Sequence, residues 1–241
     1  MKIAAFTTMN SAYYDHCGRS MLNSYKKHWS DIMPMYVYNE DNCGIKVKTV
    51  KTLGWHESPE YTDFQHRHTN SHVKKFAKKG FSVIDAMQNI DCDRLLWLDA
   101  DTVIQNSIPM QLLEWISPNN VLSSHFSVWH SQDNRLWHSC ETGFFVINKR
   151  HPGFSEFYTT YRNIYVNDET ANLRRFYDGE VYGRTVDVME DRGYAMQNLN
   201  PGKHKTPIGK SVLAPYITHF KAGVKDRVNN SDLEMQYGLD D

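Results

Sequence analysis

The sequence lacks the features that mark several large classes of protein. Its 241 residues carry 27 basic and 28 acidic side chains, so it has no basic excess of the kind that nucleic-acid-binding proteins show. No apolar run approaches the roughly 18 residues that a transmembrane helix needs. The apolar stretch at the start of the chain is too short for a signal peptide and is typical of a first strand. We therefore expect neither a nucleic-acid partner nor a transmembrane segment.

Cysteine is scarce, and its spacing favours no disulfide framework. Cys17, Cys43, Cys92 and Cys140 are far apart, and no two of them have the Cys-x-x-Cys spacing. Without a secretion signal, reduced thiols in the cytosol are expected rather than disulfides. The pattern predicts a cytoplasmic protein.

Three catalytic motifs are absent or incomplete. The chain has no Gly-x-Ser-x-Gly elbow of the serine hydrolases. The Gly-Lys-Ser run at 209–211 matches the end of a P-loop, but His204 stands where that motif requires its first glycine. The Asp-Ala-Asp-Thr run at 99–102 lacks the residue that dehalogenase-type phosphatases place before their threonine. The sequence therefore gives these three chemistries no support.

What the chain does contain predicts a globular α/β protein. It is 40% hydrophobic and 13% aromatic, and its apolar periodicity alternates between strand and helix, which predicts a mostly parallel sheet flanked by helices. A loop rich in histidine and asparagine is expected before the second long helix. With no repeat or linker, we expect one domain over residues 1–241. The predicted strands are Ile3–Thr8, Met35–Asn39, Lys46–Val50, Arg94–Leu98, Asn120–His125 and Gly143–Asn148, and the predicted helices are Asp15–His28, His72–Asn89, Pro109–Trp115 and Phe154–Val166.

Two aspartates follow the predicted strand Arg94–Leu98. Carboxylates at the end of a buried strand cost several kcal/mol unless something positive pairs with them. Asp99 and Asp101 therefore indicate a divalent cation such as Mg²⁺ or Mn²⁺, which prefers oxygen ligands and in turn holds phosphates. The alternative is that they cap the following turn or helix.

Two other segments are predicted to reach the same edge of the sheet. Ligands of parallel sheets bind at the carboxyl ends of the strands, and Thr7 and Thr8 end the first strand. Lys79 lies at the margin of an apolar helical stripe. It therefore either extends its ammonium group to solvent or reaches a phosphate over the sheet edge. Its neighbours Lys74, Lys75 and Lys78 fall on the outer face and are expected to be solvated.

Three segments, in order, resemble a known enzyme family. They are Leu96–Thr102 with its Asp-x-Asp, Glu141–Lys149 with its glycine before an apolar run, and His219–Lys225. They are similar to the corresponding motifs of GT-A fold, Asp-x-Asp-containing glycosyltransferases, in particular the family-8 type and related small bacterial and viral enzymes. The chain departs from the pattern at Ala222, where the motif has glycine, and at Glu141, where asparagine is frequent.

The resemblance implies a GT-A fold and assigns roles to residues of this chain. Residues 1–105 would bind the nucleotide sugar, and residues 106–241 would form the acceptor side and a C-terminal metal and phosphate loop. Asp99, Asp101 and His219 would hold a Mn²⁺ or Mg²⁺ ion. The expected donor-binding residues are Thr7, Thr8, Lys79, Asp99, Ala100 and Lys225, and the expected acceptor-side residues are Glu141, Thr142 and Gly143.

A further carboxylate is expected near the anomeric carbon. Asp178 is the first candidate and Glu180 the second, because an acidic group could stabilise an oxocarbenium-like transition state there. A solvated turn at Asp178-Gly179 is the alternative. The pair at 190–191 could instead supply the general base of an inverting enzyme.

The implied function is transfer of a sugar from a nucleotide-diphosphate sugar, with a UDP-sugar expected, to a saccharide or other hydroxyl acceptor. The resemblance favours retention of the anomeric configuration. Two alternatives stay open. One is a nucleotide-sugar hydrolase or phosphotransfer enzyme with the same metal site, and the other is a catalytically inactive carbohydrate-binding relative.

Overall fold

The strand Arg94–Leu98 lies at the centre of a seven-stranded sheet. A computed structural model describes residues 1–41, 43–45, 50–53, 58–132, 135–169, 173, 175–200, 202 and 207–220. The sheet has the order β3-β2-β1-β4-β7-β6-β8, and β5 and β9 form a separate pair. The strands are β1 (Ile3–Met9), β2 (Met35–Asn39), β3 (Val50–Leu53), β4 (Arg94–Leu98), β5 (Thr102–Ile104), β6 (Ser123–Gln132), β7 (Arg135–Asn148), β8 (Met196–Asn198) and β9 (Ile217–His219).

Helices cover both faces of this sheet. A π-helical turn at Tyr14–Gly18 joins the first two helices, and a short 3₁₀ helix lies at Ile208–Lys210. The α-helices are α1 (Ser11–Tyr13), α2 (Arg19–His28), α3 (Pro59–Arg67), α4 (Ser71–Asn89), α5 (Met110–Trp115), α6 (Phe154–Val166) and α7 (Asp178–Asp191).

The pairing confirms the expected mostly parallel sheet. β1 pairs in parallel with β2 and β4, and the pairs β2–β3 and β6–β8 are also parallel. Only β7 introduces antiparallel pairing into this sheet, with β4 on one side and β6 on the other. The carboxyl ends of β1, β2 and β4 therefore meet at one edge.

β4 is buried on both faces, as its apolar sequence predicts. Leu95 and Trp97 point into a core that also contains side chains of α4, α6 and α7. Leu96 and Leu98 point into a second core, formed with α2 and α5. Because both faces are covered, any polar group placed directly after this strand starts from a dry environment.

Several predicted elements have the observed bounds, and others do not. The predictions for β2, β4 and α6 are confirmed to the residue. Residues 46–49 of the predicted third strand lie outside the described residues, and the observed strand is Val50–Leu53. The expected histidine-rich loop contains α3, which begins with a proline in its first turn, a position where the missing N–H costs nothing.

The largest errors concern β6, β7 and α7. Only the ends of β6 and β7 were predicted, whereas the two strands form a long hairpin. Helix α7 was not predicted at all, and the turn considered at Asp178-Gly179 is its first turn. The predicted part of β7 contains its apolar run at 144–147, whereas the polar and aromatic residues in the rest of the hairpin give no strong periodic signal.

Helix α7 packs directly against the backbone of β7. A Cβ on Gly183 would lie 2.9 Å from Cα of Ser139, and one on Gly179 would lie 2.5 Å from the carbonyl oxygen of Cys140. The obstructing atoms belong to the backbone, so they cannot move aside as a flexible side chain would. The two glycines therefore set the distance between helix and strand.

None of the described helices combines the length and apolar character needed to cross a bilayer. The four cysteines all lie in the described part of the chain and form no disulfide.

The substitution Gly183→Ala tests the packing of α7 on β7. We expect it to lower the free energy of unfolding by about 1–3 kcal/mol, because overpacking outweighs the gain in helix propensity. Urea denaturation measures the effect. Gly209→Ala is the matched control, since nothing lies within 4 Å of a Cβ there. Equal stability of the two variants would contradict the close packing.

Candidate functional site

The site is built where β4 ends. Asp99 and Asp101 follow this strand, and the amide N–H of Asp99 donates to the carbonyl oxygen of Gly143 on β7 at 3.0 Å. The β5–β9 pair sets Thr102 opposite His219. Because Thr102 is the residue after Asp101, this pairing brings the imidazole to the aspartates from a segment more than a hundred residues away.

Asp99, Asp101 and His219 form a cluster of potential ligands. Nε2 of His219 lies 3.1 Å from Oδ1 of Asp101 and 3.5 Å from Oδ2 of Asp99. One ligand atom from each residue lies within 4.8 Å of the other two. Burial by itself would lower the pKa of His219, but hydrogen bonds to Asp101 and Asp99 outweigh it and raise the pKa to about 10. Positive charge is therefore favoured at this point.

Gly143 makes room for the histidine. A Cβ at this position would lie 2.6 Å from Cε1 of His219 and 2.7 Å from its Nδ1. The same nitrogen lies 3.5 Å from Oε1 of Glu141. Glu141 thus places a third carboxylate beside the imidazole of His219. Position 143 must be glycine because a side chain there would overlap this ring.

Lys79 links Asp99 to Asp178 and to the backbone of Thr142. Its Nζ lies 2.7 Å from Oδ1 of Asp99, 2.8 Å from Oδ2 of Asp178 and 2.6 Å from the carbonyl oxygen of Thr142. The side chain is buried, so the expectation that it extends to solvent is wrong. Burial lowers the pKa of Lys79, but the Asp178 and Asp99 carboxylates outweigh it and raise the pKa.

Asp99 is fixed in orientation by these contacts. Its Oδ1 accepts from Lys79 and also from Nε1 of Trp97 at 2.7 Å, whereas Oδ2 faces His219. Burial raises the pKa of Asp99, but Lys79 and His219 outweigh it and hold the pKa well below its usual range. The indole of Trp97 was read from the sequence only as an apolar strand residue, and nothing in the pattern marks its N–H as a partner of Asp99.

Of the two candidate catalytic carboxylates, Asp178 reaches the cluster. It is the first residue of α7, and its Oδ2 accepts from the hydroxyl of Thr142 at 2.6 Å and from Lys79. Glu180 turns the other way, and its Oε2 accepts from the backbone N–H of Arg175 at 2.7 Å. The pair at 190–191 lies near the far end of α7, about 18 Å away by helical rise.

The threonines of β1 line the adjoining part of the edge. Thr7 is fully buried, and its hydroxyl has no hydrogen-bond partner among the described residues. The hydroxyl of Thr8 donates to Oε1 of Glu40 at 3.0 Å, and Oε2 of Glu40 accepts from Lys78 at 2.6 Å. Lys78 is thus paired, which corrects the expectation that it is simply solvated. Glu40 was missed, although it directly follows β2 at the same edge.

Two of the predicted donor-binding residues remain, Ala100 and Lys225. Ala100 is buried between the two aspartates. Lys225 lies outside the described residues, so its expected contact with the donor diphosphate stays a prediction.

The donor set fits a hard divalent cation. Four carboxylates (Asp99, Asp101, Glu141 and Asp178) surround the two basic side chains Lys79 and His219. Buried carboxylates in excess of their basic partners need another source of positive charge. Two carboxylates and one imidazole are ligands that Mn²⁺ accepts, and the imidazole suits Mn²⁺ better than Mg²⁺.

Comparison with known proteins identifies the fold. No protein-family model and no curated protein matches the chain. Among solved structures, the bifunctional glycosyltransferase WbbM matches with a TM-score of 0.58 and 11% identity, over 99% of this chain and 50% of WbbM. A glycosyltransferase involved in the glycosylation of the major capsid of PBCV-1 matches with a TM-score of 0.53 and 12% identity, over 100% of both chains. The galactosyltransferase LgtC, solved with donor and acceptor sugar analogues, matches with a TM-score of 0.54 and 12% identity, over 99% of this chain and 95% of LgtC.

The chain has the GT-A fold. This confirms the resemblance and the fold class inferred from the sequence. The chain spans half the length of WbbM and nearly the whole of LgtC. The Asp-x-Asp carboxylates and His219, which suggested the fold, are also the residues that the structure brings together.

The substitution Lys79→Met tests the buried ion pairs. It would leave the partly buried carboxylates of Asp99 and Asp178 without the cation that they share, so we expect a loss of about 3–5 kcal/mol in the free energy of unfolding. Urea denaturation measures the loss. Lys75→Met on the exposed side of the same helix is the control and should change stability by no more than about 0.5 kcal/mol.

The double variant Lys79→Met/Asp178→Asn sharpens this test. Removing one of the two stranded charges should recover part of the stability lost in Lys79→Met. No recovery would mean that Lys79 contributes through packing and not through its charge.

Proposed function

We propose that the chain is a metal-dependent glycosyltransferase that moves a sugar from a nucleotide-diphosphate sugar, a UDP-sugar, to a saccharide or other hydroxyl acceptor. The observation that carries this proposal is Asp99, whose two oxygens face different basic groups, Lys79 and His219, at the carboxyl edge of a GT-A sheet. LgtC, a galactosyltransferase of the same fold, was solved with donor and acceptor sugar analogues, which supports sugar transfer as the proposed activity.

Asp99, Asp101 and His219 would hold the Mn²⁺ or Mg²⁺ ion. When bound, such an ion offsets the negative charge that develops on the leaving diphosphate. Lys225 would make a second contact with the diphosphate. Thr7, Thr8 and Ala100 belong to the same donor-binding half, residues 1–105.

Lys79 acts in this proposal as a positioning residue. Its three N–H bonds are directed at Asp99, Asp178 and the carbonyl of Thr142, which accounts for all the donors of an ammonium group. It therefore serves donor binding by holding Asp99 in place and does not touch the phosphates itself. A preorganised carboxylate needs little rearrangement when substrate binds.

Asp178 is the proposed catalytic carboxylate. Both of its hydrogen bonds go to Oδ2, so Oδ1 has no donor among the described residues and can face the reacting sugar. There it would stabilise the positive charge that develops at the anomeric carbon, with retention of configuration. Glu141, Thr142 and Gly143 would border the acceptor, and Glu180 would support the first turn of α7.

The proposed location is cytoplasmic. The four cysteines form no disulfide, which fits a reducing compartment.

Donor binding is tested by thermal shift with UDP and GDP, each with and without Mn²⁺. We expect UDP to raise the melting temperature only when Mn²⁺ is present, because the ion links the aspartates to the diphosphate. Asp101→Asn should abolish the shift, and Asp191→Asn, an exposed carboxylate on α7, should retain it. A shift of equal size without Mn²⁺ would exclude metal dependence.

Turnover is tested by release of UDP from a panel of UDP-sugars, with and without saccharide acceptors. We expect slow hydrolysis of one donor, faster turnover and a new glycoside when a suitable acceptor is added. Asp178→Asn should reduce kcat by about 10²-fold or more while UDP still binds. UDP release that no acceptor changes would favour the nucleotide-sugar hydrolase, and binding without any turnover would favour the inactive relative.

A further inference from the structure

A second group of potential ligands lies within the β6–β7 hairpin. Cys140 and His138 are on β7, and they pair with Ser127 and Trp129 of β6. His125 sits at a register shift between Ser124 and Phe126. Because side chains alternate along a strand, His125 and Ser127 share the face of Cys140 and His138. A bulge of this kind often redirects a side chain towards a site.

The donor atoms of His125, His138 and Cys140 are close together and shielded from solvent. One ring nitrogen of each histidine and Sγ of Cys140 all lie within 4.8 Å of one another. Nε2 of His138 is 3.9 Å from Sγ of Cys140. His125 is 1% exposed, Cys140 is 5% exposed, and the side chain of His138 is 4% exposed. Helix α7 covers this face, as the contact of Gly183 with Ser139 shows.

Each histidine has one ring nitrogen engaged by a partner suited to hold it. Nδ1 of His138 lies 2.7 Å from Oδ1 of Asp187. A carboxylate accepts a proton donor, so a neutral His138 directs the lone pair of Nε2 towards Cys140. Nε2 of His125 lies 3.0 Å from the hydroxyl of Ser127. Its Nδ1 is buried and has no hydrogen-bond partner among the described residues.

Asp187 belongs to the same face of α7 as the packing glycines. Gly179, Gly183 and Asp187 recur at intervals of four residues, which places them in one row along the helix. The row that contacts the backbone of β7 therefore ends in the carboxylate that orients His138. Metal-binding histidines usually have a carboxylate, a carbonyl or a water on the other ring nitrogen.

We propose that His125, His138 and Cys140 bind one Zn²⁺ ion, or a divalent ion of similar preference, in a buried site separate from Asp99, Asp101 and His219. A thiolate with two imidazoles is a soft donor set that suits Zn²⁺, whereas carboxylates suit Mg²⁺ or Mn²⁺. On binding, the thiol proton of Cys140 leaves to solvent and an S–metal bond replaces the S–H bond, while both imidazoles bind in their neutral form. The fourth position of the ion remains for water or another group.

Burial acts in opposite directions on the two kinds of ligand. It lowers the pKa of His125 to about 3, which leaves the imidazole neutral with a lone pair to offer. It raises the pKa of the Cys140 thiol, so the thiol keeps its proton until a bound cation replaces it. The bound ion would join β6 to β7 and, through Asp187, fasten α7 to the hairpin.

Cobalt is the probe that distinguishes this site from the carboxylate site. The full chain is stripped with a chelator and titrated with Co²⁺, which gives an intense charge-transfer absorption only when a thiolate is bound. We expect one equivalent of Co²⁺ to produce this band, and one equivalent of Zn²⁺ to remove it. Cys140→Ser should abolish the band. Cys92→Ser, a buried cysteine outside the cluster, and Asp101→Asn should retain it.

Asp187→Asn keeps the test decisive if Cys140→Ser does not fold. It removes no ligand, and the loss of the carboxylate should weaken zinc affinity by about 10- to 100-fold. Asp191→Asn on the same helix is its control. Folded wild-type protein that binds Co²⁺ without a thiolate band, or equal zinc affinity of wild type and Asp187→Asn, would overturn the proposal. The readout does not use UDP or turnover, so its outcome is independent of the glycosyltransferase proposal.

Discussion

The ammonium group of Lys79, buried between two carboxylates, is the contact on which the arrangement of the site depends. It joins α4, which carries Lys79, to Asp99 after β4, to Thr142 on β7 and to Asp178 at the start of α7. Moving any of these elements would separate buried opposite charges, which costs several kcal/mol. The geometry of the site is therefore determined by the packing of four elements and not by the conformation of one loop.

The arrangement of the site also depends on strand β7. Its residues 138–143 serve, in turn, the soft cluster, the packing of α7 and the carboxylate cluster. His138, Cys140 and Thr142 share one face of the strand because side chains alternate along it. The two clusters are separated along the strand instead, since Thr142 meets Asp178 at the start of α7 and His138 meets Asp187 further along the same helix. His219 can approach this strand only because position 143 has no side chain.

Sequence reasoning succeeded where one local signal determined the outcome. β4 is a continuous apolar run that ends in charge, and its bounds and the role of its edge followed from that pattern. The juxtaposition of Asp101 and His219 depends on the pairing of β5 with β9, two strands of three residues that have no pattern of their own. It was anticipated only through resemblance to a family.

The errors have a common physical cause. Lys79 and Glu40 have partners on other elements, so their contacts depend on tertiary packing that periodicity does not encode. The partner of Trp97 is local, since it is Asp99 two residues further along, but strand periodicity says nothing about the direction of an indole N–H. Away from its apolar run at 144–147, the hairpin of β6 and β7 is rich in histidine, serine and tryptophan, and several of these polar side chains, such as His125, Ser127 and Ser139, are buried. A strand whose buried face is polar does not show the alternation on which strand prediction depends.

The two packing glycines of α7 restrict the substitutions that this protein can accept during evolution. Gly179 and Gly183 have backbone atoms of β7 where a side chain would begin, so almost any replacement would push the helix outward and take Asp178 and Asp187 with it. Related sequences are therefore expected to keep glycine at both positions as strictly as they keep the aspartates. In an alignment such positions would resemble catalytic residues, although the constraint on them is purely steric.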